Sequence, residues 1–163
     1  MAETAPPDLP DLTDFICFAV YSANHAFGRV YKPLLDELGL TYPQYLVMVV
    51  LWAQDGQTVG AIGRRLFLES NTLTPLLKRL EALGHVSRRR AVDDERQVIV
   101  SLTDKGRALR GKAREVPPCI LDAVGLDLAT LGRLRDDLVA LRHRLIDPEA
   151  EDAPAGPSGR PAA

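Results

Sequence analysis

The chain has 163 residues, 46% apolar and 26% charged, which fits one domain of ordinary globular composition. No run approaches the roughly 20 uninterrupted apolar residues of a membrane span, and the opening MAETAPPDLP lacks the basic and apolar regions of a secretory signal. Twenty basic and 22 acidic residues leave a net charge of −2, and two cysteines are too few for a disulfide framework, so a cytoplasmic location is expected.

The small net charge conceals an asymmetry. Between Thr58 and Arg107 lie ten basic residues against six acidic ones, and the rest of the chain is correspondingly acidic. A basic middle is what local phosphate binding requires, and an ordinary solvated surface is the plain alternative. Residues 1–10, with Pro6, Pro7 and Pro10, read as a flexible arm. Residues 147–163 are rich in Pro, Gly and Ala without large apolar side chains, and read as a disordered tail. Residues 11–146 are the expected folded domain.

From Asp11, apolar residues recur at Leu12, Phe15, Ile16, Ala19, Val20, Ala23, Phe27, Val30, Tyr31 and Leu34, close to a helical period. Pro33 is expected to kink or end that helix, and Gly39 closes the segment. Thr41 and Gln44 have capping-box spacing before a helix from Tyr45 to Ala53 that is apolar nearly all round and hence central. Trp52 lies in it and is expected in the core. Thr58 caps a short helix to about Leu66, and a second helix runs from about Ser70 to Leu83, ended by Gly84. The period then drops to two. His85–Arg90 and Gln97–Leu102 read as strands joined by the polar tip Ala91–Arg96, a two-stranded ribbon. Thr103 caps a helix to about Glu115, Pro117-Pro118 interrupts, and Asp127 caps a last helix to about Ile146. The expected class is mainly α, a set of helices with one two-stranded β ribbon.

At about 100° per residue, Leu73, Leu76, Leu77 and Leu80 of the Ser70–Leu83 helix share one stripe, and Asn71, Thr74, Pro75 and Lys78 lie opposite. Small polar residues with a lysine suit insertion into a major groove. Arg79 flanks them, and Ser70 and Thr72 sit at the helix N-terminus, where phosphate is favoured. An amphipathic surface helix is the bland alternative. The preceding short helix and the following hairpin, with Arg88, Arg89, Arg90 and Arg96, favour a recognition helix and wing.

Leu73-Thr74-Pro75-Leu76-Leu77-Lys78-Arg79-Leu80-Glu81, then Gly84, Asp93-Asp94-Glu95-Arg96 and Ser101-Leu102-Thr103-Asp104-Lys105-Gly106, resembles the MarR family of winged-helix regulators. The resemblance implies a winged helix-turn-helix with a two-stranded β wing and N- and C-terminal dimerisation helices, the DNA-binding part covering about 41–102, in which Arg96 enters the minor groove and Asp94 holds it there. Phe15-Ile16-Cys17-Phe18-Ala19-Val20-Tyr21, Tyr31-Lys32-Pro33-Leu34-Leu35-Asp36 and Leu40-Thr41-Tyr42-Pro43-Gln44-Tyr45 resemble its organic-hydroperoxide-sensing, OhrR-like branch.

For Cys17, a small buried hydrophobe is the ordinary reading. The resemblance implies instead a redox sensor whose sulfur is bound by the phenols of Tyr31 and Tyr42. Tyr31 lies 14 residues beyond Cys17 on one helix, about 21 Å at 1.5 Å per residue, so a meeting of the two requires a second subunit. A thiolate attacks peroxides, and phenol O–H groups favour it. Cys119 is either a resolving cysteine, as in some members of the branch, or a packing residue.

The resemblance implies a homodimeric repressor of double-stranded operator DNA, released when organic hydroperoxide oxidises Cys17 and controlling a hydroperoxide-detoxifying gene. It is not expected to be an enzyme or to bind a membrane. A repressor relieved by a small phenolic ligand and a thiol peroxidase are the alternatives. His25, His85 and His143 read as ordinary, partly exposed histidines, and no metal or cofactor is expected.

Overall fold

A computed structural model describes residues 11–146. The arm at 1–10 and the tail at 147–163 lie outside the described residues. Two compact units divide between Ala123 and Val124.

In the first unit a 3₁₀ turn, Leu12–Asp14, capped by the Asp11 carboxylate, precedes α1 (Ile16–Asp36). Pro33 does not break α1, which runs three residues past it. α2 (Tyr42–Ala53) starts on the expected capping box, the Thr41 N–H donating to Gln44 Oε1 at 2.9 Å. Its side chains Val47, Met48 and Leu51 are almost completely buried, so α2 is the central helix. Trp52 is only partly buried, and its indole N–H donates to the Gly106 carbonyl at 2.9 Å.

A strand of two residues, β1 (Gln57–Thr58), follows and was not expected. Gln57 is buried because its side-chain amide donates to the carbonyls of Val50 and Gln54 at 3.2 and 2.7 Å. Thr58 caps α3 (Val59–Leu66) through the Ala61 N–H. α4 (Ser70–Ala82) packs on α3 and on α2 by Leu73, Leu77 and Leu80. After Leu83, Gly84 at φ +76° turns the chain into the hairpin β2 (Val86–Arg90) and β3 (Val98–Leu102). The hairpin is the expected one, and β1 adds a third antiparallel strand in the order β1-β3-β2.

Thr103 caps α5 (Asp104–Ala113) through the Gly106 N–H. A Cβ at Gly106 would overlap the His85 carbonyl, so only glycine lets α5 lie against the start of the hairpin. His85 itself is 5% exposed, against the expectation of a partly exposed histidine: its backbone N–H donates to the Leu80 carbonyl of α4 at 3.0 Å, and its own carbonyl accepts from the Thr103 N–H at 3.1 Å. α6 (Val116–Val124) contains Pro117 and Pro118 in its first turn, where missing amides cost nothing. The prolines therefore separate two helices rather than breaking one.

The second unit is α7 (Leu128–Ile146), capped by Asp127 through the Thr130 N–H at 2.9 Å. None of its residues is buried, and Leu128, Leu134, Leu138 and Leu145 are exposed. Among the described residues no helix is long and apolar enough to cross a membrane.

Candidate DNA-binding surface and sensor residues

The turn between α3 and α4 spans residues 67–69. It begins with Phe67 in the left-handed region and is tied by the Leu68 N–H to the Gly63 carbonyl at 3.0 Å. α4 then buries Leu73, Leu77 and Leu80, half-buries Leu76, and leaves Ser70, Asn71, Thr72, Pro75, Lys78 and Arg79 exposed, as the helical wheel requires. Thr74 is half-buried and donates its hydroxyl to the Ser70 carbonyl at 2.7 Å, which leaves the oxygen's lone pairs available.

At the wing tip, Asp94 organises the loop. Its Oδ1 accepts from the Arg96 backbone N–H and from Arg96 Nε, both at 3.1 Å, and its Oδ2 accepts from the Gln97 amide at 3.2 Å. The Arg96 guanidinium beside Asp94, with Gln97, holds that carboxyl below the usual carboxylate range. The Arg96 side chain is nevertheless 90% exposed, so it is oriented and still free to reach outward. Arg89 and Arg90 are exposed on β2, and Arg64 and Arg65 at the end of α3. Arg89 and Arg90 belong to the hairpin read as a wing, whereas Arg64 and Arg65 were read only as local charge.

Arg88 is different. Its guanidinium is engaged by Glu81 of α4 at 2.6 and 2.8 Å, which also holds the Glu81 carboxyl low. At the opposite end of the hairpin, Asp55 accepts from the Leu102 N–H at 2.7 Å and pairs with Arg107 at 2.7 Å, anchoring the last wing strand.

Cys17 lies in the first turn of α1, and its residue is exposed. Tyr31 lies 14 positions further along the same unbroken helix, about 21 Å away. Tyr42 opens α2 beside it, with ring centroids 4.6 Å apart. One chain therefore brings Tyr31 and Tyr42 together but cannot bring its own Cys17 to them.

Tyr45, not singled out from sequence, completes the cluster at 6.2 Å from Tyr31. It follows Tyr42 by three residues on a helix, the spacing that places two side chains on one face. Burial pushes the Tyr31 phenol up to about 12, and the Tyr42 and Tyr45 phenols add to this. Burial also raises Tyr42 and Tyr45. All three are thus protonated near neutrality and can donate O–H.

Tyr45 in turn contacts Trp52, at 6.2 Å between centroids, so aromatic rings lead along α2 to the Gly106 carbonyl. An open groove of about 420 Å³ beside Tyr42 is lined by Asn24, His25, Gly28, Arg29 and Lys32. Cys119 is exposed in the first turns of α6. Among the described residues no group of three His, Cys, Asp or Glu side chains could hold a metal ion.

A helix-turn-helix with a basic wing is the architecture of a DNA-binding regulator. A profile of the family described as transcriptional regulator SarA/Rot matches residues 29–112. The organic hydroperoxide resistance transcriptional regulator of Bacillus subtilis is 41% identical over 134 residues, covering 82% of this chain and 91% of that protein. The regulator TtmR of Methylorubrum extorquens is 52% identical over 145 residues, covering 89% of this chain and 74% of the relative. Among solved structures, AbfR of Staphylococcus epidermidis is similar in reduced, overoxidised and disulfide-formed states. Reduced and bound to DNA, it superposes with a TM-score of 0.69 at 38% identity, covering 83% of this chain and 95% of that one. A disulfide-formed state gives 0.57 at 38% identity, covering 80% and 91%. The chain belongs to the MarR family of winged-helix transcriptional regulators, in its OhrR-like branch.

Proposed function

We propose that the protein is a homodimeric repressor that binds operator DNA when reduced and leaves it when an organic hydroperoxide oxidises Cys17. The observation that carries this reading is the placement of two protonated phenols side by side, far along α1 from the only cysteine in that helix. Such a pair is an activating site without its sulfur until a second chain supplies one.

Three further features support a dimer. α1 has 21 residues and buries only Leu35, leaving Ile16, Val20, Tyr21 and Phe27 exposed. α7 buries none, so both helices carry apolar surface that a second subunit would cover. The groove beside Tyr42 has Gly28 on its wall, with nothing within 4 Å of where a Cβ would stand, which leaves space for the partner's first helix. A two-fold arrangement also sets two recognition helices about one DNA turn apart.

The chemistry is a two-electron oxidation. The Cys17 thiolate attacks the terminal oxygen of ROOH, and the O–O bond breaks. Cys17–SOH forms, and RO⁻ takes a proton to leave as ROH. Tyr31 and Tyr42 hydroxyls stabilise the thiolate beforehand and are positioned to supply that proton, regained from water. Condensation of the sulfenic acid with a thiol gives a disulfide and water. Cys119 of the partner or a small thiol can supply it. Loss of the thiolate removes the acceptor that holds the phenols, and the movement passes to the wing. The related AbfR, solved reduced and overoxidised on DNA and also in a disulfide form, supports a redox cycle that ends in a disulfide.

The test is the Cys17→Ser protein, bound to the duplex that the wild type selects from a random pool and treated with cumene hydroperoxide. The wild type leaves the duplex and the variant stays. Release of the variant at the same peroxide dose refutes the reading.

A further inference from the structure

Glu81 and Arg88 join α4 to the first wing strand by three hydrogen bonds. Arg88 Nε and Nη2 donate to Glu81 Oε2 at 2.8 and 2.6 Å, and the Arg88 backbone N–H donates to Oε1 at 3.2 Å. Strand register explains the third bond. β2 is an edge strand, and Arg88 faces Val100 of β3. The flanking bonds run from the Thr103 N–H to the His85 carbonyl and from the Ala91 N–H to the Gln97 carbonyl. Antiparallel pairs alternate between bonded and non-bonded, so the amide of Arg88 points away from β3 to the open edge. Glu81 closes that edge and takes the guanidinium with it. The pair is only partly covered, with side chains 25% and 37% exposed, and Arg88 is followed on its strand by the exposed Arg89 and Arg90.

We propose that Glu81 determines DNA specificity by withholding Arg88 from phosphate. This rests on the DNA-binding reading of α4 and the wing, and it reverses the sequence expectation that Arg88 is itself a contact. An arginine between recognition helix and wing, if free, grips the backbone of any duplex and adds affinity without sequence information. Held by Glu81, it instead fixes the wing strand to α4, so that Lys78 and Arg96 are presented at one spacing. Arg89 and Arg90, exposed on the same strand, remain to supply the sequence-independent attraction.

The experiment uses the full-length reduced protein and two labelled duplexes of equal length, the one selected from a random pool and an unrelated one. Anisotropy is followed from 50 to 200 mM KCl. Glu81→Gln is expected to bind the unrelated duplex several-fold more tightly at low salt. Its slope of log affinity against log salt steepens by about 0.9 for each arginine that gains a phosphate. The preference for the selected duplex falls about tenfold. Adding Arg88→Gln returns the slope to the wild-type value. If Glu81 is only a brace for the fold, both duplexes weaken together at unchanged slope, which overturns the proposal. Arg88→Gln alone provides a check that leaves Glu81 and α4 in place. Its slope on the unrelated duplex stays at the wild-type value, and a drop of about 0.9 per subunit shows that Arg88 already contacts phosphate and overturns the proposal equally. Failure of the wild type to bind either duplex overturns the DNA-binding reading, and the inference with it.

Discussion

Replacing Arg96 by alanine isolates the wing's contribution to DNA binding. The side chain is 90% exposed, and its ion pair is to Asp94 in its own loop, so truncation opens no cavity and the melting temperature should not move. An arginine seated in a groove is worth about 1–3 kcal/mol per contact. A two-fold dimer presents two, so the loss is about 2–6 kcal/mol, at least about thirtyfold in affinity at about 1.4 kcal/mol per tenfold. The salt slope should fall by about 1 per subunit. Asp94→Asn keeps the arginine but weakens the hold on its base, and an intermediate loss is expected. Anisotropy titrations of the selected duplex at several salt concentrations read both quantities. Affinity within twofold of wild type at unchanged slope would remove the wing from the interface.

Tyr31→Phe should remove the phenol that ionises near pH 12 from an alkaline absorbance titration and slow peroxide oxidation of Cys17. The folded protein holds this proton where an unfolded tyrosine, at about 10, releases it. Stability in the wild type therefore falls as pH rises from about 10 towards 12, and falls less in the variant. Gly106→Ala drives a Cβ into the His85 carbonyl and should cost about 1–3 kcal/mol or more in urea unfolding; an unchanged midpoint contradicts the close approach. Burial, and then the Lys105 charge, lower the His85 pKa below 6.5. Below that pH the unfolded chain binds a proton that the folded chain refuses, so stability falls with acidification. Melting temperatures between pH 7.5 and 5 should show the fall, and His85→Phe should flatten it.

The elements visible in the sequence were those whose cause is local. Thr41 with Gln44, Thr58, Thr103 and Asp127 each cap the helix that follows, and each signal needs only three neighbouring residues. The leucine stripe of α4 has a helical period, and the wing alternates. β1 has no such signal, because two residues carry no period and are strand only through β3. Arg88 looked like a free cation because its partner is seven residues away across a turn, reachable only once α4 and β2 are folded. The i, i+3 spacing puts Tyr45 on the face of Tyr42, but only the packing of α2 against α1 brings it to Tyr31. The resemblance named Cys17, Tyr31 and Tyr42, and helix length then demands a second subunit if that sulfur and those phenols are to meet.

That demand is open to a direct test by subunit mixing. One variant carries Cys17→Ser with both tyrosines intact. The other keeps Cys17 but carries Tyr31→Phe and Tyr42→Phe. Each homodimer should react slowly or not at all with one equivalent of organic hydroperoxide. In the heterodimer the remaining Cys17 faces the partner's intact phenols, and its oxidation, followed by mass spectrometry, should return to the wild-type rate. A heterodimer as slow as the double phenylalanine homodimer would contradict the account.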